Sequence, residues 1–140
     1  MTIHDWRFPG EYYCGISRIA FVNVELINIM LNQIPKVKWC ELGQEMGRAL
    51  KISLETTLNI QVSEIENWRT VFHRLSVQGF GDFFLKDNYI LIKTPFISYS
   101  TLWKGILEGM LDVKLDVKTN LPPLVFQIEE KKIKLLKNKS

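Results

Sequence analysis

A chain of 140 residues, 46% of them apolar and 24% charged, is long enough to bury one core and too apolar to be disordered throughout. No apolar run approaches the roughly 18 to 20 residues that cross a bilayer, and the opening MTIHDWRFPG lacks both a basic start and a long apolar stretch. The formal charge of +3 belongs to one end: Lys131, Lys132, Lys134, Lys137 and Lys139 have no acid among them, and taking those five from 18 basic residues leaves 13 against 15 acidic, about −2 over residues 1–130.

These bounds predict a cytoplasmic protein with no membrane span, divided into an arm with a short strand (1–22), a single α+β ligand-binding-like domain (23–130) and a lysine-rich tail (131–140). Residues 1–16 hold Pro9, Gly10 and Gly15 among aromatics, which predicts an ordered but irregular arm. ISRIAFVN predicts a short strand, after which Asn23 caps a helix VELINIMLNQI that stops before Pro35.

From Trp39 to about Leu58, Trp39, Leu42, Met46, Leu50 and Leu54 share one helical face, and Gly43 and Gly47 lie within it. The backbone there is smooth enough for close approach by another helix or by a ligand. Ser63, three residues before Glu66, has the spacing of a capping box and predicts the next helix start. Ile65, Trp68, Val71, Phe72 and Leu75 form its buried stripe, with Arg69, His73 and Arg74 at the edge or opposite.

After QGFG the period becomes extended: DFFLK, a turn at Asp87 and Asn88, and YILIKT predict a β-hairpin ended by Pro95. Ser98 or Ser100 then caps the helix LWKGILEGML, whose stripe is Leu102, Trp103, Ile106, Leu107, Met110 and Leu111. Gly105 and Gly109 sit at the border of that stripe, each costing about 1 kcal/mol against alanine. Close packing on Gly43 and Gly47 would offset the cost, and a ligand-facing gap is the alternative. LDVKLDVKT alternates strictly and LVFQIE supplies the last strand. The order predicts an α+β fold: an antiparallel sheet of about four strands, made of two hairpin-like units joined by a helix and covered on one face by helices.

No phosphate-binding, dinucleotide, nucleophile-elbow or zinc-protease signature is present. Glu45, Glu108, Asp82 and His73 are the only acid–base candidates singled out, and surface charge accounts for them better than catalysis, so no catalytic residue is predicted. Cys14, Cys40, His4 and His73 have no zinc spacing, and neither a metal nor a cofactor is predicted.

LGQEMGRAL, then a helix, then QGFGDFFLKDNYILIKT, then LWKGILEGMLDVKLDVKTNLPPLVFQI resemble, in order and spacing, the 4-vinyl reductase domain family. That family is similar in fold to TRAPP-type tethering subunits and nitric-oxide sensor domains, and the resemblance covers about residues 39–130. It implies a small-molecule-binding or sensory module, often dimeric. Cysteines that many members use to bind zinc near the last two strands have no counterpart in KTNLPPLVFQI, which puts zinc in doubt.

The leading expectation is a non-enzymatic sensor with an apolar pocket between helices and sheet, walled by Met46, Trp68, Phe72, Phe83, Phe84, Trp103 and Met110. Its ligand would be a hydrophobic small molecule and its partner a second copy. The alternative is a TRAPP-like assembly subunit that docks a protein partner through the arm WRFPGEYY and an exposed helix face. A nucleic-acid-associated regulator using the tail is the weakest reading, because the near-neutral body offers no broad phosphate footprint.

Overall fold

The computed structural model describes the backbone of residues 4–8 and 11–129 and the side chains of residues 11–129, so the lysine tail and most of WRFPGE lie outside the described side chains. Strands His4–Phe8 (β1), Glu11–Cys14 (β2) and Ser17–Ile19 (β3) form a three-stranded antiparallel sheet in that order. This replaces the irregular arm expected for residues 1–16. Strands of three to five residues are too short to display alternation, and Gly15, which reads as a breaker, is the turn residue of a two-residue hairpin with φ of 62°.

Helix α1 (Val24–Asn32) follows Asn23, whose extended ψ of 137° marks the helix start without a side-chain capping bond. Helix α2 (Trp39–Leu58) is entered through a tight turn of helix at Lys36–Lys38 and ends at Asn59. The left-handed Asn59 (φ 53°) donates its backbone N–H to the Glu55 carbonyl at 3.0 Å. Helix α3 (Trp68–Val77) begins later than the Ser63 capping box predicts. A short tight helix at Ile65–Asn67 precedes it, and no side chain caps either start.

Strands Asp82–Lys86 (β4) and Tyr89–Lys93 (β5) form the expected hairpin, Asp87 taking the left-handed conformation at its turn. Helix α4 (Ser100–Leu111) is followed by Leu115–Thr119 (β6) and Leu124–Ile128 (β7). Neither Ser98 nor Ser100 caps α4: Tyr99 holds the cap position, and the Ser100 hydroxyl donates instead to Asn120 Oδ1 at 2.9 Å.

The four-stranded sheet is antiparallel in the order β4-β5-β7-β6. Phe83, Ile90, Ile92, Phe126, Ile128 and Leu115 bury one face, while Phe84, Leu91 and Val125 stand in a row across the other. The fold is therefore α+β, with helices covering one face of that sheet and no closed barrel.

Helix α4 is buried on nearly its whole circumference, between the sheet and α2. Its glycines explain how. A Cβ built on Gly43 would sit 3.0 Å from the Cα of Gly105, and one on Gly105 would sit 2.9 Å from the backbone nitrogen of Gln44. Gly47 stands against Ile106 and Met110, and Gly109 against Gln44, so the two helices run in the same sense with backbones in contact.

Glu108 reads from sequence as a solvent-facing charge and is instead buried. Its carboxylate accepts from Lys104 Nζ at 3.1 Å and from the Leu115 backbone N–H at 2.8 Å, tying α4 to the start of β6. Glu108→Ala should destabilise the protein by about 2 to 3 kcal/mol, because it leaves a buried N–H unpaired. Glu108→Gln keeps an oxygen for that N–H and should cost less than half as much; equal urea midpoints for the two variants would refute this account.

Candidate functional site

A cavity of about 890 Å³ lies between the N-terminal hairpin, α2 and α3 rather than between helices and sheet. Helix α2 supplies a floor in two registers. Met46, Leu50 and Leu54 give it apolar bulk, and Ala49, Ser53 and Thr57, small residues four apart, leave the space. Thr70, His73, Arg74 and Val77 of α3, with Gln78 just after it, form the second wall. Cys14, Ser17, Ile19 and Phe21 close it from the hairpin and the segment after it.

Two polar bridges hold the hairpin across this space. The hydroxyls of Ser17 and Ser53 share a hydrogen bond of 2.6 Å, joining β3 to α2. On the other side Arg74 Nη2 and Gln78 Nε2 both donate to the sulfur of the buried Cys14, joining β2 to α3. Gly15 at the hairpin turn packs against the Thr57 side chain, close enough that a Cβ would meet its Cγ2 at 2.8 Å. Roof and floor therefore meet at that end.

Of the expected wall residues, only Met46 borders this cavity. Trp68, Trp103 and Met110 are fully buried in the core. Phe72, Phe83 and Phe84 instead border a separate cleft of about 370 Å³ beside β4, together with His73 and Asp82. The space between helices and sheet, where the sequence reading places a pocket, is filled at these positions. Trp103 alone has Phe83, Phe96 and Phe80 around it, with ring centroids at 5.4, 5.6 and 6.5 Å. Phe84 cannot share an interior with Phe83, since neighbours on a strand point to opposite faces; it is 40% exposed, with Lys93 Nζ 4.9 Å above its ring.

The acid–base candidates do not assemble. His73 and Asp82 border the small cleft, Glu45 is exposed and lines neither cavity, and Glu108 is engaged between α4 and β6. Among the described residues, no group of three or more histidines, cysteines or carboxylates is placed to hold a metal ion. What the larger cavity offers is containment of an apolar body, with hydroxyls on α2 and the hairpin and the charged and amide donors Arg74 and Gln78 on the opposite wall.

Sequence reasoning missed Cys14, Arg74 and Gln78, and the spacing of Ala49, Ser53 and Thr57 was the available sign of a groove along α2. Comparisons with protein-family models, with curated proteins and with solved structures return no match for this chain.

Proposed function

We propose that the protein is a small-molecule-binding, sensory module of the 4-vinyl reductase type, and that its ligand occupies the cavity between the N-terminal hairpin, α2 and α3. The cavity itself carries this reading: its volume lies in the range typical of ligand sites, and its walls are chiefly apolar with a few grouped polar side chains. Nile red, an uncharged apolar dye, should bind with a fluorescence gain and raise the melting temperature. Ala49→Trp, which fills the groove, should weaken that binding by about tenfold or more through lost volume. Dye binding that is absent from the wild type, or unchanged in a folded Ala49→Trp variant, would rule the reading out.

A second reading, self-assembly, is favoured by α1. Ile27 and Leu31 turn to the core, while Leu26, Ile29 and Met30 make an opposite apolar stripe, the last two 58% and 68% exposed. Phe21 and Val22, just upstream, are exposed as well. A stripe of this kind fits an isologous contact with a second copy of the chain. Light scattering should give a dimer, and Ile29→Glu should convert it to a folded monomer, with the monomer's own stability changed by no more than about 0.5 kcal/mol. A wild type that stays monomeric at all concentrations would exclude assembly through this face.

A further inference from the structure

Arg74 sits on the wall of the larger cavity in a state that the protein alone does not satisfy. Its side chain is half-buried, and among the described residues its Nε has no hydrogen-bond partner and its Nη2 donates only to the Cys14 sulfur. Among the described residues, none that lines the cavity is acidic and no carboxylate pairs with Arg74. The Gln78 amide donates to the same sulfur at 3.1 Å. Two strong donors thus converge on one weak acceptor, leaving a surplus of N–H groups at one end of an otherwise apolar space. A guanidinium taken partly out of water without a counter-charge has lost hydration that nothing in the protein returns.

Resting on the ligand-binding reading above, the geometry points to an amphiphilic carboxylate as the ligand class: an apolar chain along Met46, Leu50 and Leu54, and a carboxylate head on Arg74 with Gln78 beside it. The planar fork of a guanidinium matches the two oxygens of a carboxylate. A phosphate head, with more charge and more acceptors, would call for further cations, and among the described residues His73 is the only other basic side chain on the walls. The ligand's oxygens would take over donors now spent on the Cys14 sulfur.

The test compares three amphiphiles of one chain length below their micellar concentrations: oleate, oleyl alcohol and oleyl phosphate, measured by calorimetry and by displacement of Nile red. Oleate should bind at least about tenfold more tightly than the alcohol, the discrimination expected of a charge-assisted hydrogen bond. Arg74→Gln should bring the two to within about threefold, while Arg69→Gln, on the same helix but not on this cavity, should leave the preference intact. Without ligand, Arg74→Gln should melt close to the wild type, because the lost Arg74–Cys14 bond is offset by removal of an uncompensated charge.

Equal binding of oleate and oleyl alcohol by the wild type would overturn the carboxylate assignment and leave the apolar cavity standing; this comparison needs no variant. Tighter binding of the phosphate than of oleate would also overturn it. Failure of all three amphiphiles and of Nile red would remove the ligand-binding reading along with it. A lowered melting temperature in Arg74→Gln with an unchanged preference for oleate would assign Arg74 to the fold instead.

Discussion

Gly105→Ala should lower the free energy of unfolding by about 2 to 3 kcal/mol, although alanine raises helix propensity by about 1 kcal/mol in an unconstrained helix. The reason is what the new methyl group meets. Its position lies against the Cys40 carbonyl oxygen, 2.9 Å from the Gln44 nitrogen and 3.0 Å from the Gly43 Cα, all of them backbone. A side chain could rotate away, but the α2 backbone cannot. The helices would have to separate, and separation loosens the contact along their shared length.

In glycine the same direction carries only hydrogen, which leaves Cα–H facing a carbonyl oxygen across the interface. Gly43→Ala and Gly47→Ala should behave alike, since their new atoms meet the carbonyl oxygens of Leu102 and Ile106. Leucine at Gly105 or Gly109 should cost more than alanine. The check is a urea titration: the midpoint should fall with the slope unchanged. A rise in midpoint for Gly105→Ala, as propensity alone would have it, would show that α2 and α4 do not meet backbone to backbone.

The elements with long and regular periodicity were readable in advance. The span Trp39–Leu58 and the hairpin Asp82–Lys93 with its turn at Asp87 and Asn88 each repeat a pattern several times, so noise at one position does not hide it; the strand expected over LDVKLDVKT is shorter, Leu115–Thr119, because Leu111 still belongs to α4 and Asp112 turns the chain in the left-handed conformation. Caps were less readable, because Ser63, Ser98 and Ser100 have the right chemistry for capping but capping depends on local backbone geometry. In the folded protein Ser100 is drawn to Asn120, twenty residues away. The N-terminal sheet was hidden by brevity, as β3 has only three residues.

The site was hidden for a different reason. Aromatic density points to a space that the structure fills, since large rings signal a filled interior at least as well as a binding wall. Cavities need small residues beside large ones, and Ala49, Ser53 and Thr57 carry that signal on a helix whose opposite features, Gly43 and Gly47, drew attention to α4. Arg74 falls at the edge of, or opposite, the stripe Ile65, Trp68, Val71, Phe72 and Leu75. No pattern in one sequence shows that β2 and β3 fold back over α2 and α3, and only that contact turns the edge into a cavity wall.

The filled core makes its own large prediction. Trp103→Ala should destabilise the protein by about 4 kcal/mol, a substantial share of the roughly 5 to 15 kcal/mol that holds a domain of this kind together. Trp103 is fully buried, its Nε1 donates to the Ile97 carbonyl at 2.8 Å, and its ring packs edge-on against Phe96. Truncation leaves a cavity and an unpaired carbonyl together. Phenylalanine separates the two effects when set beside Trp68, an equally buried indole whose Nε1 has no partner. Both Trp→Phe changes remove the same atoms, yet only Trp103→Phe breaks a buried hydrogen bond, so it should cost about 1 kcal/mol more than Trp68→Phe. Phe80 links this cluster to the larger cavity, since it touches Trp103 on one side and lines the cavity on the other. Trp103→Ala should therefore weaken Nile red binding as well as stability, whereas Trp103→Phe should leave dye binding within about threefold of the wild type. Unfolding midpoints and dye titrations on the same three variants decide both points, and equal midpoints for the two phenylalanine variants would refute the role given to the Ile97 carbonyl.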